Sequence, residues 1–547
     1  MCGINLTICS NESNHEKQLF HRGPDQEYKM WIPPFTVTYN RLTITGGKDG
    51  QAPVFSNDKR WICFLNGEIY NFRSIKSELR IDDTNSDTKV LVEGFSRFGF
   101  SFLEKISGMY AAVLLDTLEN RIIVFRDPLG EKPLFFALAE NRIEISSEIR
   151  PIIERLNGSL ELNQSAIADY FRFGYVEEPW SIDKRVKAFE RGTAYQIDSS
   201  QIIKKLDVSI GIKSNFDGSL RDLIDIVNCE TVPSDVGQVV LLSGGIDSAS
   251  MIKNLDDIQK EKTLALTLDS GGDVNRLEVR SAIKSARRFG IRHSVLKWTI
   301  SSLIQDLEKV ALGFDQPHSD MASLGYFKLF EEIRNVGFKV SVSGHGPDEI
   351  FWGYDWFNQL LNSEAKLDSP RIFWNTPADT TRLLSNSFVP EVKSSLAPSD
   401  EYLLSKNRFQ RCRAEMVHSY LSHNGLRQMD RLAMYFSIEP RTPYADYRIY
   451  LWAQSNANTR KDLNKRTFKS NFSRNPFNRL SRRNKQGFDT GIVKLMNAEN
   501  FHREFVGIFD SIVNRDIPWS EEIRTIGLNS KERYRLLMLE FWLRQYD

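Results

Sequence analysis

Along the first two hundred residues the apolar positions come in short, β-branched and aromatic runs, namely FTVTYNRLTIT, WICFLNGEIYN, MYAAVLLDT, NRIIVFRD and KPLFFALAE, separated by Gly, Pro, Asn and Asp. That alternation of strand-like segments and turn residues predicts layered, largely antiparallel β structure. One stretch, TKVLVEGFSRFGFSFLEKISG, has apolar spacing that suits helices instead. Helices are therefore expected to cover the sheets in an α+β or layered α/β unit over residues 1–200.

The pattern changes after a segment of mixed composition, 201–230, that reads as connective, although DGSLRDLIDIVNCE within it has helical spacing. VGQVVLLSGGIDSASMIKNL is an apolar strand, a glycine turn and a helix start; TLALTLDS is a second strand, VNRLEVRSAIKSARRFG an amphipathic helix, and FKVSVSGHG a further strand ending in a loop. Repeated strand–helix units predict a parallel sheet for a second domain, 231–547. Its last part, with MDRLAMYFSIEPRTPYADYRIY and ERYRLLMLEFWLRQY, reads as a helical extension.

Length agrees with two domains, because 547 residues exceed the ~250–300 at which single cores stop growing. Lys and Arg total 72 against 71 Asp and Glu, a formal charge of +1, so no global field points to nucleic acid or an anionic membrane, and neither is expected as a partner. Arg287 and Arg288 form only a local basic point on a helix face. Five scattered Cys lack the spacing of a disulfide framework or a zinc site and fit a reducing compartment. With no signal-like start and no apolar run near ~18 residues, a cytoplasmic protein is expected.

The candidate chemistry begins at Cys2. Removal of Met1 would expose a thiol and a free α-amine on one residue, a nucleophile with its own base. MCGI, HRGPD at 21–25, NRLTI at 40–44, NGEIYN at 66–71 and RDPLG at 126–130 follow in an order that resembles the glutamine amidotransferases of the N-terminal-nucleophile class. The resemblance implies that the Cys2 thiolate attacks the side-chain amide of L-glutamine while the amine passes a proton to departing ammonia. It also implies an oxyanion hole from the Asn66 side chain and the Gly67 amide, with Arg41, Glu68 and Asp87 holding glutamine's carboxylate and ammonium. His21 is not assigned as a base, since the terminal amine makes one unnecessary.

Ser243-Gly244-Gly245-Ile246-Asp247-Ser248 follows the strand VVLL, so its backbone N–H groups can form an anion nest at a helix start. The motif resembles the pyrophosphate loop of N-type ATP pyrophosphatases, which split ATP into AMP and pyrophosphate. Leu242, Leu268 and Gly344 join Ser243, Gly244, Gly245, Asp247 and Ser248 as nucleotide-binding candidates. Asp247 and Asp348, the latter in SGHGPDEIFWGY, offer hard oxygen ligands for Mg2+ beside substrate phosphates. RRNKQGF at 482–488 matches an R-x-K-x-GF element, in which Lys485 would neutralise the leaving pyrophosphate.

Taken together with MDRLAMYFSIEPRTPYAD, these motifs run from Cys2 to Phe488 and resemble the glutamine-hydrolysing asparagine synthetase family. What that implies is an N-terminal-nucleophile αββα glutaminase followed by a parallel-sheet, adenine-nucleotide-hydrolase-like synthetase with a helical C-terminal portion. ATP would adenylate a carboxylate, and ammonia delivered through a dry internal passage would capture the acyl-adenylate. L-aspartate is the default acceptor, and a homodimer is carried as an expected assembly. Gln316 in Asp315-Gln316-Pro317 replaces the family's usual glutamate, however, and His345 and Trp352 depart from the family's loop. With Asp348 and Glu349 these are the acceptor-side candidates, and they keep a sugar carboxylate or a specialised-metabolite acid as the alternative acceptor. A non-catalytic ligand-sensing or assembly subunit is the minor alternative.

Overall fold

The computed structural model describes residues 2–13, 18–81, 84–211, 216–232, 236–253, 255–271, 273–298, 303–354, 382–385, 407–472, 492–497, 499–521, 523–524 and 527–547. The first unit contains two six-stranded sheets. One runs, in spatial order, Val186–Ala188, Phe135–Ala139, Arg142–Ser146, Cys2–Ile8, Phe35–Arg41, Gln26–Ile32; the other runs Ile203–Leu206, Ala194–Asp198, Arg121–Arg126, Gly108–Asp116, Trp61–Ile69, Val54–Phe55. The pairings within both are antiparallel.

The two-residue period of each strand sorts its side chains between layers. From Trp61–Ile69, Ile62 and Phe64 pack with Ile4, Leu6, Phe35 and Val37 between the sheets. Cys63 and Leu65 point the other way, onto Val90, Leu91 and Phe95 of helix Asp87–Phe98. On the far face of the first sheet, Phe135 and Ala137 meet Ile149, Ile152 and Ile153 of helix Ile149–Leu156. The order is helix, sheet, sheet, helix, as expected.

The second unit is built on a five-stranded parallel sheet, Arg292–Lys297, Thr263–Asp269, Gln238–Leu241, Val340–Val342, Glu439–Arg441. Both faces are covered: Val239 and Leu241 enter one core cluster, Val240 and Leu242 the other. This is why its strands read as continuous apolar runs. Helices Arg427–Tyr435 and Ser530–Leu543 supply the C-terminal helical portion. The chain order reverses between Gln238–Leu241 and Val340–Val342, opening a crevice at the strands' carboxyl ends.

The interval 201–230 is less of a connection than its composition suggests. Strand Ile203–Leu206 continues the first unit's sheet, and helix Leu220–Thr231, capped by Ser219, buries Leu223, Ile224 and Val227 in the second unit's core. A further core joins Ala166 and Tyr170 from the first unit to Leu266 and Leu537 from the second. No helix among the described residues is long and apolar enough to cross a membrane.

Polar contacts also lock the units together. Asp430 is fully buried and accepts from Arg22 at 3.0 Å, Lys132 at 3.1 Å and Arg431 at 2.7 Å. Burial would raise its carboxyl, but these three cations hold it well below the usual range. A folded value below the unfolded one gives stability that is present above the ordinary carboxylate range and fades as pH falls toward the folded value. Asp430→Asn is expected to destabilise the protein at neutral pH by about 3–5 kcal/mol, since it strands buried cations. Urea unfolding should show that gap narrowing below pH ~4; a gap independent of pH would mean that the charge contributes nothing.

Candidate active sites

The Cys2–Ile8 strand opens on the nucleophile candidate, and antiparallel register sets Cys2 opposite Arg41. Cys2 is 4% exposed. Its backbone N donates to Asn66 Oδ1 at 3.1 Å, and the Tyr39 hydroxyl donates to its Sγ at 2.8 Å. Because Asn66 spends its oxygen on that strand amide, its Nδ2 is turned away, buried and without a hydrogen-bond partner. An amide donor beside a thiol with nothing to bond is what an oxyanion hole requires before substrate arrives. Gly67 follows with φ +133°, and a β-carbon there would strike the Met109 carbonyl oxygen.

The other three glutamine-side candidates lie on the same elements. Arg41 donates to the Thr45 and Gly47 carbonyls, both at 3.0 Å, so the loop after its strand fixes the guanidinium. Asp87 opens helix Asp87–Phe98 and accepts from the Ile69 and Thr88 amides; burial raises its carboxyl despite them. Glu68 forms a buried ion pair with Arg441 of the second unit, and burial pushes its carboxyl up to about 8. His21 bonds Glu148 at 3.0 Å. Arg22 of the same HRGPD loop joins Cys2 to the domain interface, donating to the Cys2 carbonyl and to Asp430. Tyr39 was not among the candidates; its only sequence signal is its place two residues before Arg41.

At the crevice of the parallel sheet lies a cavity of about 590 Å3. Leu242, Ser243, Gly244, Gly245, Asp247, Ser248, Leu268, Gly344, His345, Asp348 and Glu349 all line it. The two loops that leave the neighbouring strands therefore converge. Ser248 Oγ accepts from the Ser243 amide at 3.0 Å and lies 2.9 Å from Ser243 Oγ, which closes the first loop into a turn. A β-carbon on Gly344 would lie 2.9 Å from the Ser248 nitrogen, so glycine lets the second loop reach the first.

Lys465 enters between the two carboxylates, its Nζ 2.6 Å from Asp247 and 2.7 Å from Asp348. Asp247 Oδ1 is buried with no hydrogen-bond partner. Carboxylate oxygens aimed at one point fit Mg2+, which uses one or two carboxylates with substrate phosphates rather than a full protein cage. No group of three ligating side chains occurs among the described residues. Lys485 lies outside the described residues, and the lysines described at this cavity are Lys465 and Lys469.

Two acceptor-side candidates are placed elsewhere. Gln316 is buried with its Oε1 accepting from the Ile182 amide at 3.0 Å, a link to the first unit rather than a cavity wall. Trp352, with φ +64°, is packed edge-on to Phe409 with the Arg413 guanidinium over its ring, and it does not line the cavity either. His345 does: Ser343 Oγ lies 2.9 Å from its Nδ1 and the Tyr326 hydroxyl 3.2 Å from its Nε2. Glu349 accepts from the Tyr354 hydroxyl, and burial with Glu349 nearby raises that phenol.

Comparisons with known proteins follow the same division. Residues 1–206 match the family model of a glutamine amidotransferase domain, and residues 220–509 match that of asparagine synthase. Asparagine synthetase [glutamine-hydrolyzing] 1 of Bacillus subtilis is 28% identical over 63% of this chain and 56% of its own length. Asparagine synthetase [glutamine-hydrolyzing] 3 of the same organism is 24% identical over 83% of this chain and 81% of its own. A putative asparagine synthetase of Methanocaldococcus jannaschii is 26% identical over 65% and 76%. The chain thus spans little more than half the length of the first of these relatives and most of the second. With the synthase match alone spanning more than half of its residues, the chain belongs to the asparagine synthase family.

Proposed function

We propose that the protein is a glutamine-dependent, AMP-forming carbon–nitrogen ligase that turns a carboxylate into an amide. The observation that carries the reading is the meeting of the Ser243–Ser248 and Ser343–Glu349 loops in one cavity at the sheet's reversal point, in a chain that also holds a buried thiol beside an unpartnered amide donor.

In the first unit, the Cys2 sulfur attacks the side-chain carbonyl of L-glutamine once Met1 has been removed. The oxygen gathers negative charge facing Asn66 Nδ2 and the Gly67 amide, and the Cys2 α-amine hands the thiol proton to the leaving ammonia. Water hydrolyses the thioester and releases glutamate. In the second unit, the nest of Ser243, Gly244, Gly245 and Ser248 holds the ATP phosphates, and an acceptor carboxylate oxygen displaces pyrophosphate from the α-phosphorus. Asp247 and Asp348 would hold Mg2+, which neutralises phosphate charge. Ammonia then attacks the acyl carbon and AMP leaves. The shared core between the units favours internal transfer, because ammonia released to neutral solvent becomes ammonium.

L-aspartate is the acceptor that family resemblance favours. The hydroxyl, imidazole and amide groups of Tyr326, His345, Tyr420 and Asn424 along the cavity equally suit a hydroxylated acid, which supports a sugar carboxylate as the second reading. Incubation with glutamine, MgATP and a panel of acids, with AMP measured and the amide identified by mass, separates them. Aspartate-dependent AMP with asparagine supports the first, AMP and amide from another acid the second. Absence of both glutamate and pyrophosphate across the panel would overturn the ligase reading.

A further inference from the structure

The glutamine site borrows a charge from the other domain. Arg441 closes strand Glu439–Arg441 at the edge of the parallel sheet, and its backbone is fixed by the register Val342↔Arg441 and by a 3.0 Å hydrogen bond from the Ser343 amide to its carbonyl. Its side chain is 1% exposed and crosses into the first unit. There Nη2 donates to Glu68 Oε2, while Nε donates to Glu439 at 2.8 Å and Nη1 to the Thr231 carbonyl at 2.6 Å. All three guanidinium nitrogens are thus engaged, which orients the fork.

Glu68 lies two residues beyond Asn66 on the same strand, so both side chains leave one face of the sheet. Its Oε1 has no hydrogen-bond partner among the described residues. We propose that Arg441 is a positioning residue for glutamine binding: it aims the Glu68 carboxylate and favours its charged form against burial, with Oε1 left for the substrate's ammonium, so that the second domain completes the glutamine pocket. This rests on the glutaminase reading above. Burial drives the Glu68 carboxyl up, Arg441 opposes that rise, Glu439 and Asp87 add to it, and the chain's terminal ammonium opposes it more weakly. Loss of the guanidinium removes the larger of the two opposing cations and shifts the balance toward neutral Glu68, which binds an ammonium poorly. A pair that only fastened the domains would leave glutamine affinity untouched once the protein had folded.

The test is glutamate release by the full chain, wild type against Arg441→Met and Arg441→Lys, with folding checked by thermal melting. Arg441→Met should raise KM for glutamine at least about 10-fold with a smaller change in kcat. It should also move the acid limb of kcat/KM to higher pH, because a carboxyl that has lost its cation ionises later. Arg441→Lys, which keeps the charge and loses the fork, should recover part of the affinity. If the Met variant does not fold, the Lys variant and Glu68→Gln carry the comparison: Glu68→Gln should raise KM as well and should not be worsened by adding Arg441→Lys. Folded variants with wild-type KM and an unmoved acid limb overturn the inference alone. Wild-type protein that releases no glutamate overturns the glutaminase reading and this inference with it.

Discussion

Cys2→Ala is expected to lower glutamate release by about three orders of magnitude or more, since in the proposed mechanism the Cys2 sulfur forms the thioester. The fold should not notice. Residue 2 keeps its strand pairing opposite Arg41 through backbone atoms, and its backbone nitrogen still donates to Asn66 Oδ1. What disappears is Sγ, together with the hydrogen bond it accepts from Tyr39, whose hydroxyl retains the Leu65 carbonyl. The thermal midpoint should therefore stay within a few degrees, and AMP formation driven by added ammonium salts should persist. Asn66→Ala should cost about 10²–10³-fold in kcat, the usual loss when one oxyanion donor is removed. Glutamate release that survives Cys2→Ala would place the nucleophile elsewhere and dissolve the account of Asn66 with it.

How much of this could be read from the chain differs between the two sites for a physical reason. The antiparallel layers announced themselves through turn residues and β-rich runs, and the candidates at Asn66, Gly67 and Glu68 are consecutive on one strand. The Ser243–Ser248 loop is likewise local, a strand end followed by a helix start, so its motif contains its own geometry. Contacts between distant segments leave no such mark. Lys465 meets Asp247 across 218 residues, and Arg441 meets Glu68 across 373. Neither periodicity nor spacing specifies which loop will cross the end of a sheet. The same limit explains Gln316: its departure from the family pattern is visible in the sequence, but its hydrogen bond to the Ile182 backbone, 134 residues away, is not. The connective look of 201–230 reflected polar composition, whereas the apolar stripe of helix Leu220–Thr231 decided where that helix packs.

Trp352 acquires its meaning through Lys465. The carbonyls of Phe351 and Trp352 accept from the amides of Lys465 and Asn464, both at 2.9 Å, and the buried indole fixes that loop from behind. Lys465 sits at φ +59° just before helix Arg466–Ser470, a conformation that aims its side chain back between Asp247 and Asp348. One cation between two carboxylates could serve merely to neutralise them, or it could move onto phosphate oxygens as negative charge builds on the leaving pyrophosphate. The two roles give opposite results. Lys465→Met is expected to lower glutamine-driven pyrophosphate release by about 10²–10³-fold at saturating MgATP, while glutamate release at the distant thiol persists. If the lysine only balanced the two aspartates, saturating magnesium would do the same work. The Met variant would then form pyrophosphate at the wild-type rate, and that result would remove Lys465 from the chemistry.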